Sequence, residues 1–179
     1  EGCHLSDNEE LELNSLRSEK RKKEYLAVRL LLQKMIKKKK EIAHTESGKP
    51  FLKDFEFNIS ISHSDSLAVI LLSERETGVD VESLGRNPQN IAPRFLTEHE
   101  LEYTLNSENT RIIQILYWCA KEAVFKCSSI NNVNFRSHIT IYPFGFDIKG
   151  GSFKGVLNKA GEISVFSFVY IFYKDNAIV

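Results

Sequence analysis

Two long stretches of the chain carry apolar residues at steps of three and four, the spacing of a helix with one buried face. The first predicted helix covers residues 18–42 and contains the apolar positions Leu26, Leu30, Leu31 and Met35. The second covers residues 109–127. Between them, Thr97 followed by Glu100 is the signature of a capping box, and it predicts a short helix over residues 97–105.

Strand-like runs rich in β-branched and aromatic residues occupy much of the remaining sequence. The predicted strands cover residues 57–62, 67–73, 77–82, 138–142, 152–157 and 162–173. A turn is expected at residues 48–50, which read GKP, and irregular structure at residues 85–93. The order of helix, strands, helices and strands predicts an α+β fold with mostly antiparallel sheets.

The predicted strand 77–82 reads TGVDVE and places carboxylates at alternate positions, Asp80 and Glu82. Alternate side chains of a strand lie on one face, so the two carboxylates should lie side by side while Val79 and Val81 face a core. A bound cation would relieve their mutual repulsion. The ordinary alternative is a half-exposed strand whose outer face is solvated.

The second long helix contains the run YWCAKEAVFK at residues 117–126. Trp118, Glu122 and Lys126 follow one another at steps of four and therefore share a helix face. An ordinary ion pair between Glu122 and Lys126 would explain part of this pattern. Glu122 could also join Asp80 and Glu82 as a third carboxylate, and such oxygen ligands suit Mg²⁺ together with a phosphate-bearing substrate.

Charge is unevenly distributed in a chain that is neutral overall. Residues 17–40 hold eleven Lys or Arg against two Glu, so this segment carries +9 and the remainder −9. A solvated helix face explains most of these lysines, and the asymmetry also favours an anionic ligand or partner near the segment. Neither a nucleic-acid partner nor a membrane partner is expected.

The three cysteines are Cys3, Cys119 and Cys127. Cys119 and Cys127 fall on one predicted helix with their Cα atoms about 12 Å apart, too far for a disulfide. An odd number of unpaired cysteines is typical of a reducing compartment, and no signal peptide or membrane-spanning run is evident, so a cytoplasmic location is expected.

The segments FNISISHS (57–64), GVDVE (78–82) and WCAKEAVFK (118–126), taken together, resemble the 4′-phosphopantetheinyl transferases of the larger, single-chain type. GKP (48–50), RFLTEHEL (94–101) and NFRSHITIYPF (134–144) fall in the same order. The resemblance covers roughly residues 17–170 and implies a pseudo-dimer of two similar α/β subdomains with the active site in the cleft between them. The division would separate an N-terminal subdomain, residues 1–75, from a C-terminal subdomain, residues 76–179. The opening strand of the family is unrecognisable before Leu16.

The resemblance also implies the chemistry: Mg²⁺-dependent transfer of 4′-phosphopantetheine from coenzyme A to a serine of an acidic acyl or peptidyl carrier protein by a monomeric enzyme. The family's metal ligands match Asp80, Glu82 and Glu122, and Glu122 also matches the proposed general base. Residues that match positions contacting coenzyme A or its phosphates are Lys126, Lys121, Ser62, His63, Lys49 and Arg21. Lys121 could instead be a surface lysine, because it lies off the Trp118 face.

Two further interpretations stay open at this level. The chain could be a non-enzymatic coenzyme-A-binding relative that docks carrier proteins, or another Mg²⁺-dependent phosphotransfer enzyme. Intact Asp80, Glu82, Glu122 and Lys126 favour an active transferase over the first, and the SHS and GKP segments favour it over the second.

Overall fold

A computed structural model describes residues 3–38, 40–128 and 132–179 of the chain. The helices are α1 (Asp7–Ser15), α2 (Glu19–Ile36), α3 (Ala92–Phe95), α4 (Glu98–Leu105), α5 (Thr110–Cys127) and α6 (Phe135–His138). The strands are β1 (Ile42–His44), β2 (Pro50–Leu52), β3 (Asn58–His63), β4 (Ala68–Ser73), β5 (Val81–Ser83), β6 (Ile139–Ile141), β7 (Gly151–Lys159), β8 (Glu162–Tyr173) and β9 (Asn176–Ile178). Mixed helices and antiparallel sheets confirm the predicted α+β class.

All the strand pairs in the described part of the chain are antiparallel. In the first half of the chain, β1 pairs with β2 and β3 with β4. In the second half, the strands follow the order β5-β9-β8-β7-β6. Each half has its own apolar cluster: α2 packs with β1 to β4, while α5 packs with the larger sheet.

Several predicted elements are found close to their expected bounds. Helix α5 begins at Thr110 and ends at Cys127, β8 matches residues 162–173, and the Thr97 hydroxyl caps α4 by accepting from Glu100 N at 3.1 Å. Helix α2 is shorter than predicted, because Lys37 takes a left-handed conformation (φ 51°) and Ile42 already belongs to a strand.

The prediction of a strand over residues 77–82 is wrong in its bounds. The strand begins only at Val81, where it pairs with β9. Just before this strand, Asp80 pairs with Val179, which follows β9. Asp80 N donates to Val179 O at 2.9 Å, and Val179 N donates to Asp80 O at 3.0 Å. The short elements α1, β1, β2, α3, α6 and β9 were not predicted.

None of the helices in the described part of the chain is both long enough and apolar enough to cross a membrane. The three cysteines are free, in agreement with the prediction that Cys119 and Cys127 do not pair.

Candidate active site

Segment 78–82 lies directly against α5, and a glycine makes this approach possible. A Cβ atom on Gly78 would lie 1.9 Å from the Ala123 carbonyl oxygen, far inside any allowed contact. Only a residue without a side chain lets the two backbones come this close. The GVDVE segment is thereby held along the helix face that carries Glu122.

Asp80 is buried, with 5% of its surface exposed. Its Oδ1 accepts hydrogen bonds from Ser62 Oγ at 2.8 Å and from Lys126 Nζ at 2.7 Å. Its Oδ2 is buried and has no hydrogen-bond partner among the described residues. The alternative of a solvated outer strand face is therefore wrong for Asp80, because the side chain lies between β3 and α5.

Glu82 contacts α5 at Trp118, one helical turn before Glu122. Its Oε1 accepts from Trp118 Nε1 at 2.9 Å and from the Arg86 guanidinium. The Arg86 guanidinium also lies 5.1 Å from the Trp118 ring centroid, within cation–π distance. The Trp118 hydrogen bond thereby ties α5 to segment 78–82.

Glu122 sits between these two contacts on the helix. Lys126, one turn after it, holds Asp80, and Trp118, one turn before it, holds Glu82. The pKa of Glu122 is raised, first because the carboxyl is partly buried and second because the charge of Asp80 lies nearby. The predicted carboxylates therefore converge on one helix face although Asp80 and Glu122 are far apart in the sequence.

The donor set fits a hard cation such as Mg²⁺, because all three side chains offer carboxylate oxygens. The unpartnered, buried Asp80 Oδ2 is the kind of atom that a bound ion would satisfy. As the side chains stand, the described residues contain no group of three or more His, Cys, Asp or Glu close enough to hold a metal. Lys126 and Arg86 occupy the nearby oxygens of Asp80 and Glu82 instead.

Lys121 lies away from this face, in the core of the second half. It is fully buried, and its ammonium donates to Glu100 Oε2 at 2.7 Å, Ile139 O at 2.7 Å and Phe135 O at 3.0 Å. The surface-lysine alternative is therefore wrong. All three N–H groups are already taken, so Lys121 has none left for a phosphate oxygen.

Ser62 and His63 are adjacent in β3 and point to opposite faces. Ser62 Oγ donates to Asp80, whereas His63 Nε2 lies 3.3 Å from the Arg21 guanidinium and 3.6 Å from Glu24 Oε2. Ser62 thus faces the carboxylate site, and His63 faces Arg21 on α2. His63 and Arg21 line a cleft of about 630 Å³ that also includes Lys20, Glu82 and Arg86.

Lys49 lines a different cavity of about 150 Å³, together with Ser60, Phe125 and Lys126. Its ammonium donates to Cys127 O at 3.1 Å and lies 3.5 Å from Glu76 Oε1. An intermediate cavity of about 340 Å³ shares Arg21, Glu24 and His63 with the larger cleft, and Pro50 and Ile61 with the smaller one. The cavities follow one another along four of the predicted phosphate-binding residues, Arg21, His63, Lys49 and Lys126.

Two residues that sequence reasoning missed are part of this arrangement. Arg86 is the cation on Glu82, four residues away, but no helix or strand pattern indicated that contact. Glu100 accepts from Thr97 N, Lys121 Nζ and Ile141 N, so it joins α4, α5 and β6 around the back of the site. Its place in the capping box was visible in the sequence, and its long-range partners were not.

Residues 76–167, more than half of the chain, match the model of a family described as the 4′-phosphopantetheinyl transferase superfamily. The chain belongs to this superfamily. This confirms the resemblance proposed from GVDVE and WCAKEAVFK, and both motifs lie inside the matched range.

Two relatives share part of the chain. It is 32% identical over 83 residues to the 4′-phosphopantetheinyl transferase gsp of Aneurinibacillus migulanus, covering 45% of the chain and 35% of that protein. It is 29% identical over 109 residues to a Haemophilus influenzae protein provisionally named as a 4′-phosphopantetheinyl transferase, covering 58% of the chain and 46% of that protein. The matched part of the chain spans less than half the length of either relative.

Proposed function

We propose that the protein transfers 4′-phosphopantetheine from coenzyme A to a serine of an apo carrier protein and releases adenosine 3′,5′-bisphosphate. The observation that carries this proposal is the convergence of Asp80, Glu82 and Glu122 along one face of α5, beside Lys126, in a member of this superfamily.

Asp80, Glu82 and Glu122 would hold Mg²⁺. When bound, Mg²⁺ would neutralise the diphosphate of coenzyme A and offset the negative charge that develops on the leaving group. The buried Asp80 Oδ2 supports this assignment, because a buried carboxylate oxygen without a partner is unfavourable and a cation would satisfy it.

In the transfer step, the serine oxygen of the carrier attacks the phosphorus attached to pantetheine, and the bond from that phosphorus to the oxygen of adenosine bisphosphate breaks. Glu122, or a water that it orients, takes the serine proton. Lys126 is 26% exposed, pairs with Asp80 and lines the smaller cavity. Its ammonium would place positive charge near the reacting phosphate.

The row of cavities supports coenzyme A as the donor. Lys20, Arg21 and His63 line the larger cleft, where Asp65 and Glu24 pair with Lys20 and Arg21, and Lys49 and Lys126 line the smaller cavity. An extended ligand with a phosphate at one end and a diphosphate further along would meet Lys or Arg side chains able to donate to phosphate oxygens at both places.

A transfer assay tests the proposal. Apo carrier proteins of several kinds are incubated with the protein, coenzyme A and Mg²⁺, and the carrier mass is measured. A gain of one phosphopantetheine group is expected, with loss of transfer in Glu122→Gln while circular dichroism shows an intact fold. Binding of coenzyme A without any mass gain would favour the non-enzymatic alternative, and near-normal turnover by Glu122→Gln would refute the role of Glu122.

A further inference from the structure

Arg86 is held in place by its backbone while its side chain is half-exposed. Arg86 N donates to Ser83 O at 3.1 Å, which closes a turn after β5, and Leu84 N donates to Asp175 O at 2.8 Å, which ties the turn to the sheet edge. The side chain is 38% exposed, contacts Glu82 and lies over Trp118. A fixed Cα with a partly exposed guanidinium allows the head group to change partners without moving the backbone.

Arg86 and Lys126 make matching contacts with the carboxylates of the site. Each places one positive charge on one predicted metal ligand, Arg86 on Glu82 and Lys126 on Asp80. Without these cations, Asp80, Glu82 and Glu122 would repel one another in a partly buried site. A divalent cation that binds Glu82 must compete with Arg86, because both positive charges seek the same carboxylate.

A guanidinium displaced from Glu82 would already stand at the wall of the 630 Å³ cleft, alongside Lys20, Arg21 and His63. The planar guanidinium fork matches two phosphate oxygens at once, which an ammonium does not. We propose that Arg86 is an exchangeable counterion: it neutralises Glu82 in the metal-free protein, and it turns to a phosphate of coenzyme A once Mg²⁺ has taken its place. This inference rests on the proposed function.

The exchange predicts that the contribution of Arg86 to coenzyme A binding depends on Mg²⁺. The affinity for coenzyme A is measured by calorimetry in EDTA and in saturating Mg²⁺ for wild type, Arg86→Ala and the control Arg111→Ala. Arg111 is exposed at the start of α5 and does not line the cleft, so its substitution removes the same charge elsewhere. Arg86→Ala is expected to bind at least about tenfold more weakly in Mg²⁺ and to lose clearly less affinity in EDTA, where only the repulsion from the bared Glu82 carboxylate weakens binding. Arg111→Ala should match wild type in both buffers.

A second measurement follows Mg²⁺ alone. Trp118 is the single tryptophan of the chain and donates to Glu82, so its fluorescence reports on that carboxylate. Removing the competing cation in Arg86→Ala should tighten Mg²⁺ binding by about two- to fivefold, the range of a partly exposed ion pair. The same change thus strengthens binding of one ligand and weakens binding of the other.

A third variant releases Arg86 without metal. Glu82→Gln should bind coenzyme A more tightly than wild type in EDTA, and the double variant Glu82→Gln/Arg86→Ala should lose that gain. Thermal melts confirm that each variant is folded.

An equal loss of coenzyme A affinity with and without Mg²⁺ in Arg86→Ala would mean a permanent phosphate contact and would overturn the exchange. Unchanged affinity in both buffers would overturn it as well. If wild type binds no coenzyme A even with Mg²⁺, the proposed function itself fails, and this result is separate from any difference between the variants.

Discussion

At the scale of single residues, the two alternate serines of β3 join the halves of the molecule. Ser60 Oγ accepts from Val79 N at 2.9 Å, and Ser62 Oγ accepts from Val81 N at 3.3 Å. These hydroxyls satisfy backbone groups that would otherwise be buried without partners. Ser62 additionally donates to Asp80, so it both joins the halves and orients a predicted metal ligand.

Ser60→Ala and Ser62→Ala form a matched pair that separates these two tasks. Each should lower the free energy of unfolding by about 1–3 kcal/mol, because each leaves a buried N–H without its acceptor. Only Ser62→Ala should also weaken Mg²⁺ binding, by about 10- to 100-fold, as expected when a partner of a metal ligand is lost. Urea unfolding and Trp118 fluorescence titration measure the two effects; equal Mg²⁺ affinities in both variants would contradict the positioning role of Ser62.

Glu122 gives a pH-dependent prediction for the metal-free protein. Because burial and Asp80 raise its pKa in the folded state, the ionised carboxylate destabilises the fold at neutral pH. This destabilisation diminishes as the pH falls through the raised pKa of Glu122, because the carboxyl group then becomes protonated and neutral in the folded state. It disappears below the ordinary pKa range of a carboxyl group. In EDTA, Glu122→Gln should therefore melt at a higher temperature than wild type near about pH 7.5 and at the same temperature near about pH 4.

The exposed Glu108→Gln serves as the control and should leave the melting temperature unchanged at both pH values. Added Mg²⁺ should raise the melting temperature of wild type more than that of Glu122→Gln. A lower melting temperature for Glu122→Gln at neutral pH in EDTA would show that the carboxylate is stabilised rather than strained by its surroundings.

At the scale of elements, α5 contacts both segment 78–82 and the Glu100 side of the second half. Its face with Trp118, Glu122 and Lys126 meets segment 78–82, while Lys121 on another face reaches Glu100 and β6. Burial lowers the pKa of Lys121, and the nearby Glu100 carboxylate opposes that shift. The buried pair and its hydrogen bonds fix the rotation of α5, which in turn decides where Glu122 points.

Gly78→Ala should separate segment 78–82 from α5, since the new methyl group would meet the Ala123 carbonyl. We expect a loss of stability of about 2 kcal/mol or more and a loss of transfer, because Asp80 and Glu82 would move with the segment. Gly145→Ala is the matched control, as its Cβ would meet nothing within 4 Å. Urea unfolding and the transfer assay measure both variants; a Gly78→Ala protein with wild-type stability would contradict the close backbone contact.

At the scale of the whole molecule, two apolar clusters lie on either side of a polar site. The first is built around Val28 and Leu32, the second around Leu116 and Tyr117, and the charged residues of the site lie where segment 78–82 connects the halves. The two parts of the sequence carry opposite net charges, +9 on residues 17–40 and −9 on the remainder. Six of the eleven Lys or Arg of residues 17–40 lie on α2, and one of them, Arg21, faces the large cleft.

The basic segment 17–40 should attract an acidic carrier protein over a distance, so transfer should be steered by charge. With coenzyme A saturating and the carrier limiting, kcat/KM should fall as NaCl increases. Lys34→Gln/Lys38→Gln, both at exposed positions of this segment, should lower the rate and flatten its dependence on salt, whereas Lys149→Gln/Lys154→Gln should not. A rate that does not respond to ionic strength would rule out this docking surface.

The sequence by itself determined the features that depend on neighbouring residues. The bounds of α5 follow from apolar spacing, the start of α4 from its capping box, and the identity of Asp80, Glu82, Glu122 and Lys126 from motifs that are short and contiguous. Strand alternation would also have separated Ser62 from His63, since adjacent strand residues point to opposite faces.

Tertiary structure alone decided which distant partner each charged group meets. Lys121 and Glu122 are neighbours on one helix, yet one is buried against Glu100 and the other faces the site. The burial of Asp80, the contact of Arg86 with Glu82 and the pairing of β9 with β5 likewise depend on how separate elements pack. Local spacing fixes the direction of a side chain on its own element, but burial and ion pairing arise from the element packed opposite, which no local pattern identifies.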